Sequence, residues 1–186
     1  FHRDKRIIIL STIIIILSIL IIFIHYFQIH QDKTKNTKAL EAYLENKIDD
    51  KYDEKYRYKN ILEIPSINLK RGVLDINSKY NKAKYNIELV KETENTIVLA
   101  SHNGNYYNSY FANLSNLELG DTINYYQDGL IYKYIYIDSY EIKKDGYADL
   151  YHHNDKQSII LITCKDGTDD AQVVYIGYLK EIINRE

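Results

Sequence analysis

Eighteen consecutive residues near the N-terminus, Ile7 to Ile24, carry no charge. At α-helical rise the run is about 27 Å long, close to the roughly 30 Å hydrocarbon core of a bilayer. Ser11, Thr12 and Ser18 lie inside it, and a hydroxyl on a helix can bond to a carbonyl one turn back, so they do not spoil a membrane span. Arg3, Lys5 and Arg6 precede the run, and His25 to Gln31 bring no Lys or Arg. The positive-inside tendency therefore predicts a cytoplasmic N-terminus, with everything after the span outside the cell. A cleaved signal peptide would have a shorter apolar core and small residues at its cleavage site; neither Ile24-His25-Tyr26 nor Phe27-Gln28-Ile29 offers them. A buried core helix rarely runs this far without polar residues. The expectation is a tail over residues 1–6 and one uncleaved span over 7–27. The chain begins at Phe1 and contains no Met, so a short leader is expected ahead of it.

Residues 28–59 are highly charged, and from Gln31 to Asn60 there is no Pro or Gly. The spacing of Ala39-Leu40, Tyr43-Leu44 and Ile48 suits an amphipathic helical stalk, while a solvated charged linker fits the same composition. Residues 60–186 suit a single domain. One cysteine excludes an intramolecular disulfide framework, so the fold must stand on its core. A net charge of −2 gives no support for nucleic-acid binding.

Within residues 60–186 the hydrophobic period is two. Ile131, Ile135 and Ile137 alternate with Tyr132, Tyr134 and Tyr136, and Val173, Tyr175 and Leu179 with Val174, Ile176 and Tyr178. Further strands are predicted at 67–74, 96–101, 121–127 and 157–163, with Gly72, Gly120, Gly129 and Gly146 at turns or bends. Only Tyr106 to Leu117 reads as helical, with Tyr107, Tyr110, Phe111, Leu114 and Leu117 on one stripe. Short strands with few helices predict a mostly antiparallel barrel or sandwich. The many tyrosines read as strand formers with a wet hydroxyl end.

Cys164 ends the apolar run Ser158 to Thr163 and opens the polar loop Lys165 to Asp170. A thiol at a strand end beside a loop is half exposed on a rigid support, as a nucleophile requires; a free cysteine is equally a small buried hydrophobe. His102 stands at the corresponding point after Ile97-Val98-Leu99-Ala100-Ser101, where it could act on the thiol or be a surface residue. His152 and His153 compete for that role, and on extended chain at most one of two neighbours could serve. No spacing resembles a structural zinc site, because there is no second thiol. Asp166, Asp169 and Asp170 lack the ligand order of an EF-hand and read as a solvated turn. No metal and no cofactor is expected.

Taken together, Ile64-Pro65-Ser66-Ile67, Leu99-Ala100-Ser101-His102, Tyr110-Phe111-Ala112-Asn113-Leu114, Leu119-Gly120-Asp121 and Leu161-Ile162-Thr163-Cys164, behind an N-terminal span, resemble the sortases. The resemblance covers about 120 residues. It implies an eight-stranded β-barrel with short helices after one transmembrane helix. It also implies a membrane-anchored cysteine transpeptidase of Gram-positive bacteria. Such enzymes cut a sorting signal of the Leu-Pro-x-Thr-Gly kind in surface proteins. They pass the acyl group to an amine of a peptidoglycan precursor or of a pilin.

By this resemblance Cys164 is the nucleophile and His102 the catalytic histidine, and Thr163 and Ser101 fall at substrate-binding positions. The family also has an arginine on the strand after the cysteine. Here Gln172 stands at that place, and no Arg occurs between Arg71 and Arg185. An amide there would be a neutral donor to the tetrahedral oxygen in place of a charged fork. Two functions follow: an active transpeptidase using Gln172, or a catalytically impaired, membrane-anchored domain that binds the peptide without turning it over.

Overall fold

The computed structural model describes residues 2–49, 52–146, 148, 150 and 155–185, so His152 and His153 lie outside the described residues. Two compact units result, Phe1–Thr37 and Lys38–Glu186. One helix, α1 (His2–Leu44), supplies the described part of the first and enters the second. Its apolar run is long enough to cross a membrane and forms a candidate span. Every large side chain of that run faces outward, Ile22 being 68% exposed, as lipid contact requires and water would penalise. Ser11 and Thr12 donate to Ile8 O and Ser18 to Ile14 O, all at 2.8 Å. No hydroxyl in the run is thereby left bare to hydrocarbon.

The second unit carries eight strands: β1 (Asn60–Ile64), β2 (Leu69–Val73), β3 (Glu88–Glu92), β4 (Thr96–Ala100), β5 (Thr122–Gln127), β6 (Leu130–Lys143), β7 (Ser158–Cys164) and β8 (Ala171–Asn184). They form one sheet in the order β2-β1-β5-β6-β8-β7-β4-β3, antiparallel except for β4 beside β7. Asn86, fully buried two residues ahead of β3, ties that segment to β2: its Nδ2 donates to Gly72 O at 2.9 Å and its Oδ1 accepts from Arg71 Nε at 2.8 Å. The barrel-like sheet predicted from the sequence is thus present.

Local readings differ in three places. Tyr106 to Leu117 is not a helix but a series of turns ending in a short 3-10 helix, Leu114–Asn116; its apolar stripe is real only in that Phe111 and Leu114 are fully buried. Gly72 is no turn. It lies within β2, where a Cβ would stand 1.9 Å from the ring of Tyr58, so glycine is needed for the close approach. The tyrosines are not all wet: Tyr125, Tyr134 and Tyr136 point into the core while Ile137 is exposed. Rings of that size fill a barrel interior, and the Tyr125 hydroxyl accepts from Asn60 Nδ2 at 2.8 Å. Burial pushes the Tyr134 phenol well above its ordinary range.

Three apolar clusters hold the unit. Leu62, Ile97, Leu99, Phe111, Ile159, Leu161 and Tyr175 belong to the barrel interior. Ala39 and Leu40, at the end of α1, pack with Tyr56, Tyr58, Ile61, Leu74 and Tyr126, so the helical reading of the Ala39 to Leu44 stripe is realised as a packed face. Val98, Ile160, Ile162, Val174 and Ile176 form the third, with Ala100, Tyr140 and Ile142 against it.

Candidate active site

Alternation along the strands decides which side chains meet. In β4, β7 and β8 the interior takes Ile97 and Leu99, Ile159 and Leu161, and Tyr175. The opposite face takes Val98 and Ala100, Ile160 and Ile162, and Val174 and Ile176. Two residues further along, that second face carries His102, Cys164 and, before Val174, Gln172. The registers agree. Ala100 pairs with Ile162 in the parallel ladder, so His102 falls level with Cys164; Cys164 pairs with Gln172 and Gln172 with Ile142.

Lys165 N donates to Ala171 O at 3.0 Å. That makes the neighbouring Cys164–Gln172 pair of the wide, non-hydrogen-bonded kind, with Cα atoms about 4.5 Å apart and side chains close. Cys164 is a free, partly exposed thiol, and His102 and Gln172 are half-buried too. The cysteine is therefore not the fully buried core hydrophobe that it could have been. It opens on a cleft of about 420 Å³ bounded by Asn103 and the loop from Lys165 to Asp169.

Thr163 and Ser101 belong to the other face. Both are buried, and the Thr163 hydroxyl donates to Ser101 O at 2.8 Å, tying the ends of β7 and β4 together. The Ser101 hydroxyl is buried without a hydrogen-bond partner among the described residues. The register thus sets Cys164 opposite Gln172, with His102 two residues past the Ala100–Ile162 pair, and leaves Thr163 and Ser101 on the other face.

The loop after Cys164 is held by its own bonds. Lys165 pairs with Glu141 at 2.7 Å, and Thr168 donates to the Asp170 carboxylate, which holds Asp170 below the usual carboxylate range. Among the described residues no group of three or more His, Cys, Asp or Glu could hold a metal ion. Sequence patterning alone does not single out Asn103, which the structure places at the site. Its Nδ2 donates to Cys164 O at 3.2 Å and to Asp166 Oδ1 at 2.7 Å. The signal available for it is an amide side chain one residue past a strand-end histidine.

A family model described as Sortase domain matches residues 62–179. Among solved structures, a Clostridium perfringens sortase D5 transpeptidase is 17% identical, with 80% of this chain and 98% of that one covered and a TM-score of 0.60. Listeria monocytogenes sortase A is 16% identical over 68% of this chain and 90% of that one, at a TM-score of 0.55. Streptococcus pneumoniae sortase C-3 is 19% identical over 69% of this chain and 65% of that one, also at 0.55. No curated protein matches in sequence. At these identities the structural likenesses speak for the fold; the family model covers more than half of the chain, which belongs to the sortase family.

Proposed function

We propose that this protein is a sortase-type cysteine transpeptidase anchored in the cell membrane by one span, with residues 60–186 as its extracellular catalytic domain. The observation that carries the reading is the row His102, Cys164 and Gln172 on one face, over an apolar floor of Ala100, Ile162 and Val174. A pure binding surface has no physical need for a half-exposed thiol level with an imidazole.

In the proposed reaction the Cys164 sulfur attacks the carbonyl of a surface protein's C-terminal sorting motif. The C–N bond breaks, and His102 as imidazolium gives its proton to the leaving amine. The acyl group now rides on sulfur as a thioester. His102, as imidazole, then accepts a proton from an incoming amine of a peptidoglycan precursor or a pilin, and the amine takes the acyl group. In this reading the amide of Gln172, whose Cα pairs with that of Cys164, donates to the oxyanion of each tetrahedral intermediate. A single donor of this type is worth about 3 to 4 kcal/mol. A neutral amide keeps part of what a guanidinium supplies, which predicts a slow enzyme rather than an inert one.

A specific residue favours a second reading. With Gln172 in place of arginine, the protein would hold a sorting peptide over the apolar floor without cleaving it. Mass spectrometry of the purified full chain after incubation with a library of sorting peptides separates the two. An acyl adduct on Cys164 supports the enzyme; retained, uncleaved peptide with an unmodified thiol supports the binding domain.

A further inference from the structure

The parallel ladder between β4 and β7 does not stop where β4 stops. Ser101 N donates to Ile162 O at 3.2 Å. In a parallel pair each strand donates at every second residue, so the next main-chain N–H that the β4 side would give is that of residue 103, to Cys164 O. The chain turns away there: Phe111 N donates to His102 O at 3.2 Å, and Gly104 adopts φ +114°. The rung is made all the same, by a side chain, since Asn103 Nδ2 reaches Cys164 O at 3.2 Å.

The remaining groups of that amide are also engaged. A second Nδ2 hydrogen goes to Asp166 Oδ1 at 2.7 Å, and Asn103 Oδ1 accepts from Gly104 N at 2.8 Å. A carbonyl and a carboxylate only accept and a backbone N–H only donates, so the chemistry leaves one orientation for the amide. His102 sits between two rungs, Ser101 to Ile162 on one side and Asn103 to Cys164 on the other. Each rung ends on the cysteine strand.

We propose that Asn103 is a positioning residue for the Cys164–His102 pair: its amide prolongs the ladder past the end of β4 and holds the histidine level with the thiol. This inference rests on reading Cys164 and His102 as a working pair. Asp166 orients the amide from the far side. A carboxylate at 103 would not substitute, because it cannot donate to Cys164 O and would face Asp166.

The test is a double-mutant cycle on the rate of Cys164 alkylation by iodoacetamide in the full chain, a readout that needs no peptide substrate. His102→Ala and Asn103→Ala should each slow alkylation at least about fivefold, and the double variant should be no slower than His102→Ala alone, the non-additivity of groups acting as a unit. Asn103→Asp, nearly isosteric, should behave as Asn103→Ala. Asn108→Ala should keep the wild-type rate, although its amide also ties this loop down, donating to Lys84 O at 2.8 Å. With an active peptide, Asn103→Ala should lower kcat and leave KM nearly unchanged.

A wild-type alkylation rate in Asn103→Ala overturns the proposal, as does an effect that adds in full to that of His102→Ala or one matched by Asn108→Ala. No effect of His102→Ala removes the pair and the proposal with it. Coupled alkylation in a protein that cleaves no peptide would uphold the positioning role and reject the transpeptidase.

Discussion

The same two strands, β4 and β7, end very differently. At their starts, Ser158 and Thr96 are buried in a local hydrogen-bond network: Ser158 N donates to Asn95 O at 2.8 Å, Thr96 N to Thr93 Oγ1 at 3.1 Å and Thr93 N to Thr96 O at 2.9 Å. Beside that end lies a cleft of about 470 Å³, lined in part by Glu92, Thr96, Ile97, Tyr132, Tyr134 and Gln157. It is larger than the 420 Å³ cleft at Cys164. Among the described residues, no thiol or imidazole lines it. At the other end Cys164 and His102 stay half-exposed, and the backbone is closed by the Asn103 amide instead. Cleft size does not distinguish the two ends; what the exposed side chains can do chemically does. The comparison predicts that substitutions at the Cys164 end change turnover with little change in stability, and that substitutions at the Ser158 end do the reverse.

The largest expected effect is that of Cys164→Ala, which should abolish both cleavage and transfer while the melting temperature stays nearly unchanged, since a small half-exposed side chain leaves little cavity. Cleavage surviving in that variant would break the comparison at once. His102→Ala should lower turnover at least about 100-fold, with His152→Ala and His153→Ala costing much less; steady-state kinetics decide the ranking. Gln172→Ala should slow acylation at least about tenfold with little change in peptide binding, and Gln172→Arg should preserve or raise the rate. Unchanged acylation would move the oxyanion donor elsewhere.

Two smaller effects concern stability. A chain cut ahead of Lys38 should fold, because the compact unit begins there. A cut at residue 60 removes Tyr56 and Tyr58 from Ile61, Leu74 and Tyr126, and should melt at least about 10 °C lower for a loss of roughly 4 kcal/mol of apolar burial. Equal melting temperatures would show that the α1 end and the tyrosines contribute nothing. Ser158→Ala should cost about 1 kcal/mol in denaturant unfolding and leave acylation unchanged.

Much of this site is legible in the amino-acid sequence. Period-two patterning locates six of the eight strands, and the sharp change from Leu161-Ile162-Thr163 to Lys165-Asp166-Gly167 fixes where the thiol emerges. Strands β1 and β3 escape that patterning. Glu88–Glu92 carries Glu and Lys on an edge strand with a bulged pairing, and Asn60–Ile64, between β2 and β5, is buried on both faces and so shows no alternation. Tyr106 to Leu117 carries a helical stripe but bends in turns, and its buried Phe111 and Leu114 join the barrel's core cluster from that loop. The faces of Ser101 and Thr163 are legible in principle: each is one residue from a site residue on extended chain, which places it on the opposite side. Asn103 is not. Nothing in a sequence shows that a loop amide will complete a rung that the backbone abandons.

Acyl transfer at the Cys164 end of these strands is what distinguishes the proposed enzyme from a peptide-binding domain. Intact-mass spectrometry of the full chain, incubated with sorting peptides and then chased with an amine acceptor, tests it most directly. The expected result is a thioacyl adduct confined to Cys164 that appears with the peptide, disappears on adding the amine and leaves a ligated product. Peptide that binds and stays whole, with the Cys164 mass unchanged throughout, would contradict it.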